Sequence, residues 1–410
     1  MTNTASPVAG VSRGILFLMS LATALAVSGN SFAQPLLALF TRELGVSDDQ
    51  AALIMTAGQL GYAAGLALLL PLADLVERRR LATGMFAATA LFLALSGSAT
   101  GGTMLVITTC LSALTSVVAQ VIVTYAAAVA APEHRGSVVG TVMTGLLLGG
   151  LLSRTAAGAV ADLSGWRVVY WVAALLTAAM AVTLWRSLPP LRTSVGLSYT
   201  GILRSTFSLF RTEPLLRSRA VIGACSLASM NCFWTVVSFL LSGQGWSELR
   251  IGLLGLLGVA GAMAMNLGGR LADRGHAQRV AAVAGSLLLL AWLPLWLGES
   301  SAVLLIVGIL LLLIGTQGLL SSNMNTIYSL RPELRNRLNS AFMTCYFIGG
   351  AAGAALAGRA WSAVGWAGVS ALGALLAAVA LSAWAAERWT VTATPAHRAR
   401  LAETLRATAS

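Results

Sequence analysis

The chain has 410 residues, of which 57% are hydrophobic and only 10% charged, and its mean hydropathy is +0.82. Soluble domains carry roughly a quarter charged residues, so this composition cannot clothe a water-facing surface. The net charge of +12 rests on arginine alone; with no lysine, a Walker A loop and Schiff-base chemistry are both excluded, and ATP hydrolysis with them.

Apolar stretches of the length that crosses a bilayer, about 20 residues each, recur along the chain. Lipid offers the backbone no hydrogen bonds, so such stretches are helices or barrel strands, and their unbroken length excludes strands. An all-α membrane protein of twelve spans is expected. The first half places them near 14–40, 50–73, 81–100, 103–131, 138–162 and 167–187; the second near 219–242, 250–270, 279–297, 302–328, 338–361 and 366–386. Ser31-Phe32-Ala33 resembles a signal cleavage site, but the preceding apolar run is too long for a signal peptide and reads as a helix. The organisation expected is a six-helix bundle over 1–187, a linker over 188–218, a second bundle over 219–386 and a tail over 387–410.

With the N-terminus cytoplasmic, every loop arginine except Arg42, Arg167 and Arg250 falls inside, while Arg154 and Arg359 lie within spans. The basic excess therefore reads as the positive-inside rule of a bacterial inner-membrane protein with both termini cytoplasmic, not as a nucleic-acid surface. The linker opens with Pro189-Pro190, and in it Ile202, Leu203, Phe207 and Phe210 recur at helical spacing opposite Arg204 and Arg211. Such a helix lies flat on a leaflet, or the segment is a plain tether. Cys110, Cys225, Cys232 and Cys345 all fall in apolar spans, and His134, His276 and His397 are scattered, so no metal site or cofactor is expected.

Sliding the chain against itself by 200 residues brings its halves into register. Pro132-Glu133-His134-Arg135 meets Pro332-Glu333-Leu334-Arg335, Gly149-Gly150 meets Gly349-Gly350, and Gly165-Trp166 meets Gly365-Trp366. Gly45-Val46-Ser47-Asp48 meets Gly245-Trp246-Ser247-Glu248, where each serine can cap the following helix. With a one-residue slip, Leu72-Ala73-Asp74 meets Leu271-Ala272-Asp273. Parallel duplication of a six-span unit is how many secondary transporters place one site between two rocking halves.

Together with Pro71-Leu72-Ala73-Asp74-Leu75-Val76-Glu77-Arg78-Arg79-Arg80 after the second span, and Gly269-Arg270-Leu271-Ala272-Asp273-Arg274 after the eighth, this pattern resembles the major facilitator superfamily over essentially the whole chain. The resemblance implies two pseudo-symmetric six-helix bundles and transport by alternating access. It also implies a cytoplasmic gate in which Asp74 faces the start of the eleventh span near Asn336–Ser340 and Asp273 faces Ser137, with Arg78, Arg80 and Arg279 in reach of Glu133 or Glu333. Gly140, Gly149 and Gly158 keep the glycine spacing of the family's antiporters, but Ser153-Arg154 stands where those carry Gly-Pro. An exporter of the drug- or sugar-efflux-like group is the expectation; an uptake permease or a non-transporting receptor on the same scaffold remains open.

Polar residues inside spans are costly and are read as candidates. They gather on the first, fourth, seventh and tenth spans, which line the central cavity in the family: Asn30 and Gln34; Gln120 and Tyr125; Asn231 and Trp234; Gln317 and Asn323. Arg154 is the one charge deep in a span, and every acid lies in a loop, a tail or a span end. A cationic substrate would meet no counter-charge, so the expected partner is a neutral or anionic small molecule. Coupling to a proton or another ion stays open, and a monomer is expected. An enzyme is not: no nucleophile–base pair or metal ligand set lies at membrane depth.

Overall fold

The computed structural model describes residues 12–29, 31–131, 134–191, 198–331 and 334–393, and among these all regular structure is helical. The first span is two helices, α1 (Arg13–Ser28) and α2 (Ala33–Leu44), where one was expected. Pro35 explains the break: it offers no N–H to the Ser31 carbonyl, and its ring crowds the preceding turn. Helix α3 (Asp48–Ala64) continues through a π turn (Gly65–Leu69) and a 3₁₀ turn (Leu70–Asp74). Then come α4 (Arg78–Gly97), the bent pair α5 (Gly102–Ser116) and α6 (Val118–Val129), α7 (Arg135–Ser164) and α8 (Trp166–Ser187). The linker holds α9 (Tyr199–Thr212) and leads into α10 (Pro214–Gly243).

Residues Glu248–Leu297 form one apolar run of 50 residues. Straight, that run would measure about 75 Å, far beyond a hydrocarbon core of about 30 Å. It reverses at Gly275, whose φ of 84° lies in the left-handed region that only glycine enters freely. The run is therefore two spans: α11 (Glu248–Leu253) with α12 (Gly258–Leu271), then α13 (Ala277–Leu290) with α14 (Trp292–Leu297). Helices α15 (Ala302–Tyr328), α16 (Arg335–Val364) and α17 (Trp366–Ala393) complete twelve crossings among the described residues.

The sequence repeat is a repeat of packing. Helix α1 packs on α7 as α10 packs on α16; α4 packs on α8 as α13 packs on α17; α3 packs on α5 as α12 packs on α15. The contacts correspond residue by residue. A Cβ at Gly149 would collide with the Ala24 backbone, and one at Gly349 with the Ala224 backbone, 200 residues on in both partners. Small residues let the helices touch along their backbones where no hydrophobic effect draws them together. Ser47 and Ser247 cap α3 and α11 as expected, the first within a full capping box with Gln50.

The linker helix departs from expectation. Its buried face is Ile202, Thr206 and Leu209, while Phe207 is exposed. It packs on protein, against the turn after α3 and the start of α16, and the Tyr199 hydroxyl donates to the Leu68 carbonyl at 2.8 Å. The end of the molecule that carries α9 is called the linker end, and the opposite one the far end.

Candidate functional site

The halves meet along two seams. In one, α3 packs against α16 over its whole length: Trp361 Nε1 donates to Asp48 at 2.9 Å near the far end, Tyr62 and Phe347 rings lie 4.5 Å apart midway, and Ser340 donates to the Leu66 carbonyl at 3.0 Å towards the linker end. In the other, α7 packs against α11 and the turn after it. Here the Asp162 carboxylate accepts from the backbone N–H groups of Glu248 and Leu249 at 3.1 and 3.2 Å. It thus satisfies the free N–H groups of a helix start in the other half, where the helix dipole also favours a negative charge. Arg42 joins the same corner through an ion pair with Glu248 at 2.6 Å. Helix α2 packs against α10, so the far end is closed on all these lines.

Just beneath that closure hangs Arg154. Its backbone leaves Gly252 no room for a Cβ, and its side-chain methylenes crowd Gly255. The guanidinium turns inward between the halves. Its Nε donates to Gln34 Oε1 of α2, Nη1 donates to the Gly150 carbonyl at 3.0 Å, and the group lies 4.6 Å over the Trp234 ring of α10. Three cavity candidates, Gln34, Arg154 and Trp234, therefore converge. Among the described residues no carboxylate pairs with Arg154. The indole Nε1 of that same Trp234 is a buried polar atom without a protein partner, as are Thr235 Oγ1 and Ser238 Oγ elsewhere on α10 and Gln317 Oε1 of α15. Buried polar groups are almost always bonded, so such a group of orphans needs an explanation.

The other candidates go elsewhere. Asn30 lies outside the described residues. Gln120 lines a small pocket at the linker end with Asp74 and Asn336, beside Tyr62. The Tyr125 hydroxyl donates to the Pro189 carbonyl at 2.8 Å, which makes it an anchor for the linker and removes it from the cavity set. Asn231 donates to the Gly350 carbonyl at 3.0 Å and ties α10 to α16. Asn323 accepts from Arg219 at 3.3 Å within the second half, another correction.

The residues expected at the gate find their partners inside their own halves. Asp74 lines the pocket with Asn336, Arg337, Asn339 and Ser340, but its ion pair is with Arg78 of its own loop at 3.4 Å. Arg78 also donates to the Thr124 carbonyl at 2.8 Å, locking loop to span inside one half. Arg80 pairs with Glu77 at 3.0 Å. Asp273 accepts from Asn325 of its own half at 2.9 Å and does not reach Ser137; Arg279 is exposed. Glu133 and Glu333 lie outside the described residues.

Sequence reasoning missed the far-end clasp and the buried pair of Arg219 with Glu387. A signal for the first lay at Ser247-Glu248, because one serine cap leaves further N–H groups of the α11 start free for a carboxylate from the other half. Asp162→Asn keeps the shape and removes the charge; a charge at a helix start contributes about 0.3–1 kcal/mol, so the ratio of far-end-closed to far-end-open molecules should fall by up to about fivefold. A spin-label distance across the far end, between cysteines at Ser98 and Glu299, would lengthen if the clasp holds that end and stay unchanged if it does not.

Comparison with known proteins agrees with this architecture. The family model of the Major Facilitator Superfamily matches residues 19–354. The uncharacterized transporter YgaY of Escherichia coli O157:H7 is 46% identical over 361 residues, covering 88% of this chain and 92% of that one. A protein of Streptomyces coelicolor named "Probable transporter SCO4007" is 32% identical over 372 residues, covering 89% and 86%. In fold, the chain is similar to a bacterial homologue of the human lysosomal transporter Spinster in an inward-facing, occupied conformation, with TM-score 0.71 over 90% of this chain and 91% of that one, at 15% identity. With twelve crossings, a packing repeat at an offset of 200 and close relatives that are transporters, the chain belongs to the Major Facilitator Superfamily and is a multi-pass membrane transporter.

Proposed function

We propose that this transporter is a secondary carrier that exports a small organic anion across a bacterial inner membrane by alternating access. The observation that carries the reading is Arg154: a guanidinium between the halves, bonded to an amide and a carbonyl, over an indole, with no carboxylate among the described residues to neutralise it. Arginine keeps its charge and presents five donors in a fork that matches a carboxylate or phosphate. Two or more of those donors remain for a ligand, and the unpartnered Nε1 of Trp234 under the guanidinium offers another. Export is favoured by the antiporter-like glycines of α7, of which Gly149 and Gly158 make close backbone contacts. The bacterial relatives support an inner membrane, and the arginine distribution supports a cytoplasmic linker end. The far end then faces outward and is closed, which makes this an inward-facing arrangement.

Two measurements test the reading. A cysteine at Glu299 should react with an impermeant thiol reagent from outside the cell and one at Arg204 should not; the reverse pattern overturns the orientation. In a thermal-shift screen of the purified protein, organic anions should raise the melting temperature and organic cations should leave it unchanged, since only a ligand that binds the folded state stabilises it. Stabilisation by cations and not by anions would overturn the anion assignment.

A further inference from the structure

The two seams are related by the repeat but are not equally closed. The α3–α16 seam is sealed from Asp48 to Leu66, and α9 is strapped across its linker end. The α7–α12 seam is closed only in its far half. Its contacts run from Gly158 against Glu248, through Thr155 and Arg154 against Gly252, to Leu151 against Gly258. Continuing that antiparallel register would set Leu147 opposite Gly261 and Gly140 opposite Gly269. There a Cβ at Gly140 or Gly136 would meet nothing within 4 Å, and the atoms nearest a Cβ at Gly261 belong to Gln317 and Leu313 of α15.

The opened stretch is mostly apolar, and the exposed Thr144 of α7 donates its hydroxyl to the Gly140 carbonyl of its own helix. Met143 and Leu147 of α7 are 41% and 40% exposed; Met263 and Leu267 of α12 are 67% and 60% exposed. Between Arg135 and Arg154 on α7, and between Gly258 and Arg270 on α12, the chain carries no ionisable residue. Asn266, a polar side chain in the α12 stretch, donates to its own helix at the Ala262 carbonyl. In a bilayer, side chains exposed on two neighbouring spans at this level would face the hydrocarbon of the linker-side leaflet. At the closed end of the stretch the first charge encountered is Arg154.

We propose that the substrate is an amphiphilic anion, a single alkyl chain ending in a carboxylate or sulfate, which reaches Arg154 sideways from the linker-side leaflet through the α7–α12 seam. The proposal rests on the anion reading above and narrows it. The head group takes the guanidinium fork, where its charge is matched. The alkyl chain lies between Leu147 and Met263, where it covers apolar surface and meets no polar group that it would leave unpaired. A small hydrophilic anion would gain from the first contact and nothing from the second. The sealed α3–α16 seam leaves one side entrance, so head and tail enter in one orientation.

The test uses the full-length protein in a non-ionic detergent and the straight-chain series butanoate, hexanoate, octanoate and decanoate, with alkyltrimethylammonium ions of equal length as controls. Apparent affinity from thermal shift should rise about fourfold per added methylene, the gain expected for burying each one. Arg154→Gln should weaken binding about 10–100-fold at every length. Leu147→Glu with Met263→Glu should flatten the length dependence while butanoate binding persists; Leu147→Ser with Met263→Ser decides the matter if the charged pair does not fold. Equal affinity for butanoate and decanoate, with both weakened in Arg154→Gln, would overturn the amphiphile and leave the anion reading standing. A steep length dependence untouched by either seam pair would overturn the side entrance. Failure of every anion to bind would remove the anion reading itself, and this proposal with it.

Discussion

Arg154→Gln is expected to lower affinity for an anionic substrate about 10–100-fold, the range of 1.5–3 kcal/mol that a hydrogen bond to a charged group contributes, and to reduce transport in proportion. Glutamine can still reach toward Gln34, so the helices stay packed and the far end still closes. Arg154→Lys should recover little. An ammonium keeps the charge but loses the planar fork and the stacking of a guanidinium on the Trp234 ring, 4.6 Å away in this structure. The readout that separates a binding role from a packing role is affinity measured on folded protein. If Arg154→Gln binds the anion as tightly as the wild type, and differs only in melting temperature, the arginine ties α7 to α2 and does not meet substrate. Trp234→Phe offers an independent check, because it keeps an aromatic face under the guanidinium and removes an indole N–H that has no protein partner. A modest loss of affinity there, with unchanged stability, assigns that N–H to the ligand as well.

The spans were legible because the bilayer imposes a one-dimensional rule: any segment that crosses must be apolar for about 20 residues, whatever it packs against. The repeat was legible because both copies kept the same glycines where backbones touch, Gly149 on Ala24 and Gly349 on Ala224. Partners of charged side chains followed no such rule. Asp74 and Asp273 sit at matching places in the repeat, yet one pairs with Arg78 and the other accepts from Asn325, both inside their own halves. Tyr125 looked like a cavity residue because it is polar and lies in a lining span; only the folded chain shows that Pro189 passes above it. The apolar pattern also could not tell a lipid-facing side from a seam between the halves, since both are apolar. That difference emerged from Gly140, which faces nothing, against Gly158, which faces Glu248.

Arg219 is the case in which position along the chain misled most, and it carries the largest expected effect on stability. Counted along the sequence it stands at the border of the basic linker; in the fold it is fully buried at the linker end of the second half. Its guanidinium pairs with Glu387 of α17 at 2.5 Å and donates to Asn323 of α15 at 3.3 Å, while Ser218 donates to the other oxygen of Glu387 at 2.6 Å. One ion pair thus joins α10, α15 and α17 where apolar side chains end. Taking both charges out of water is expensive, so the pair itself adds little net stability, but removing one partner leaves the other buried and uncompensated. Glu387→Gln is therefore expected to destabilise the protein by about 3–5 kcal/mol. Arg219→Met combined with Glu387→Leu, which removes both charges and keeps the volume, should return most of that loss. Thermal or denaturant unfolding of the purified variants measures both. If the single variant melts with the wild type, water reaches Glu387 and the site is not a closed one. If the double variant is as unstable as the single, the pair is positioning the three helices through its directed bonds, and the charge balance is secondary.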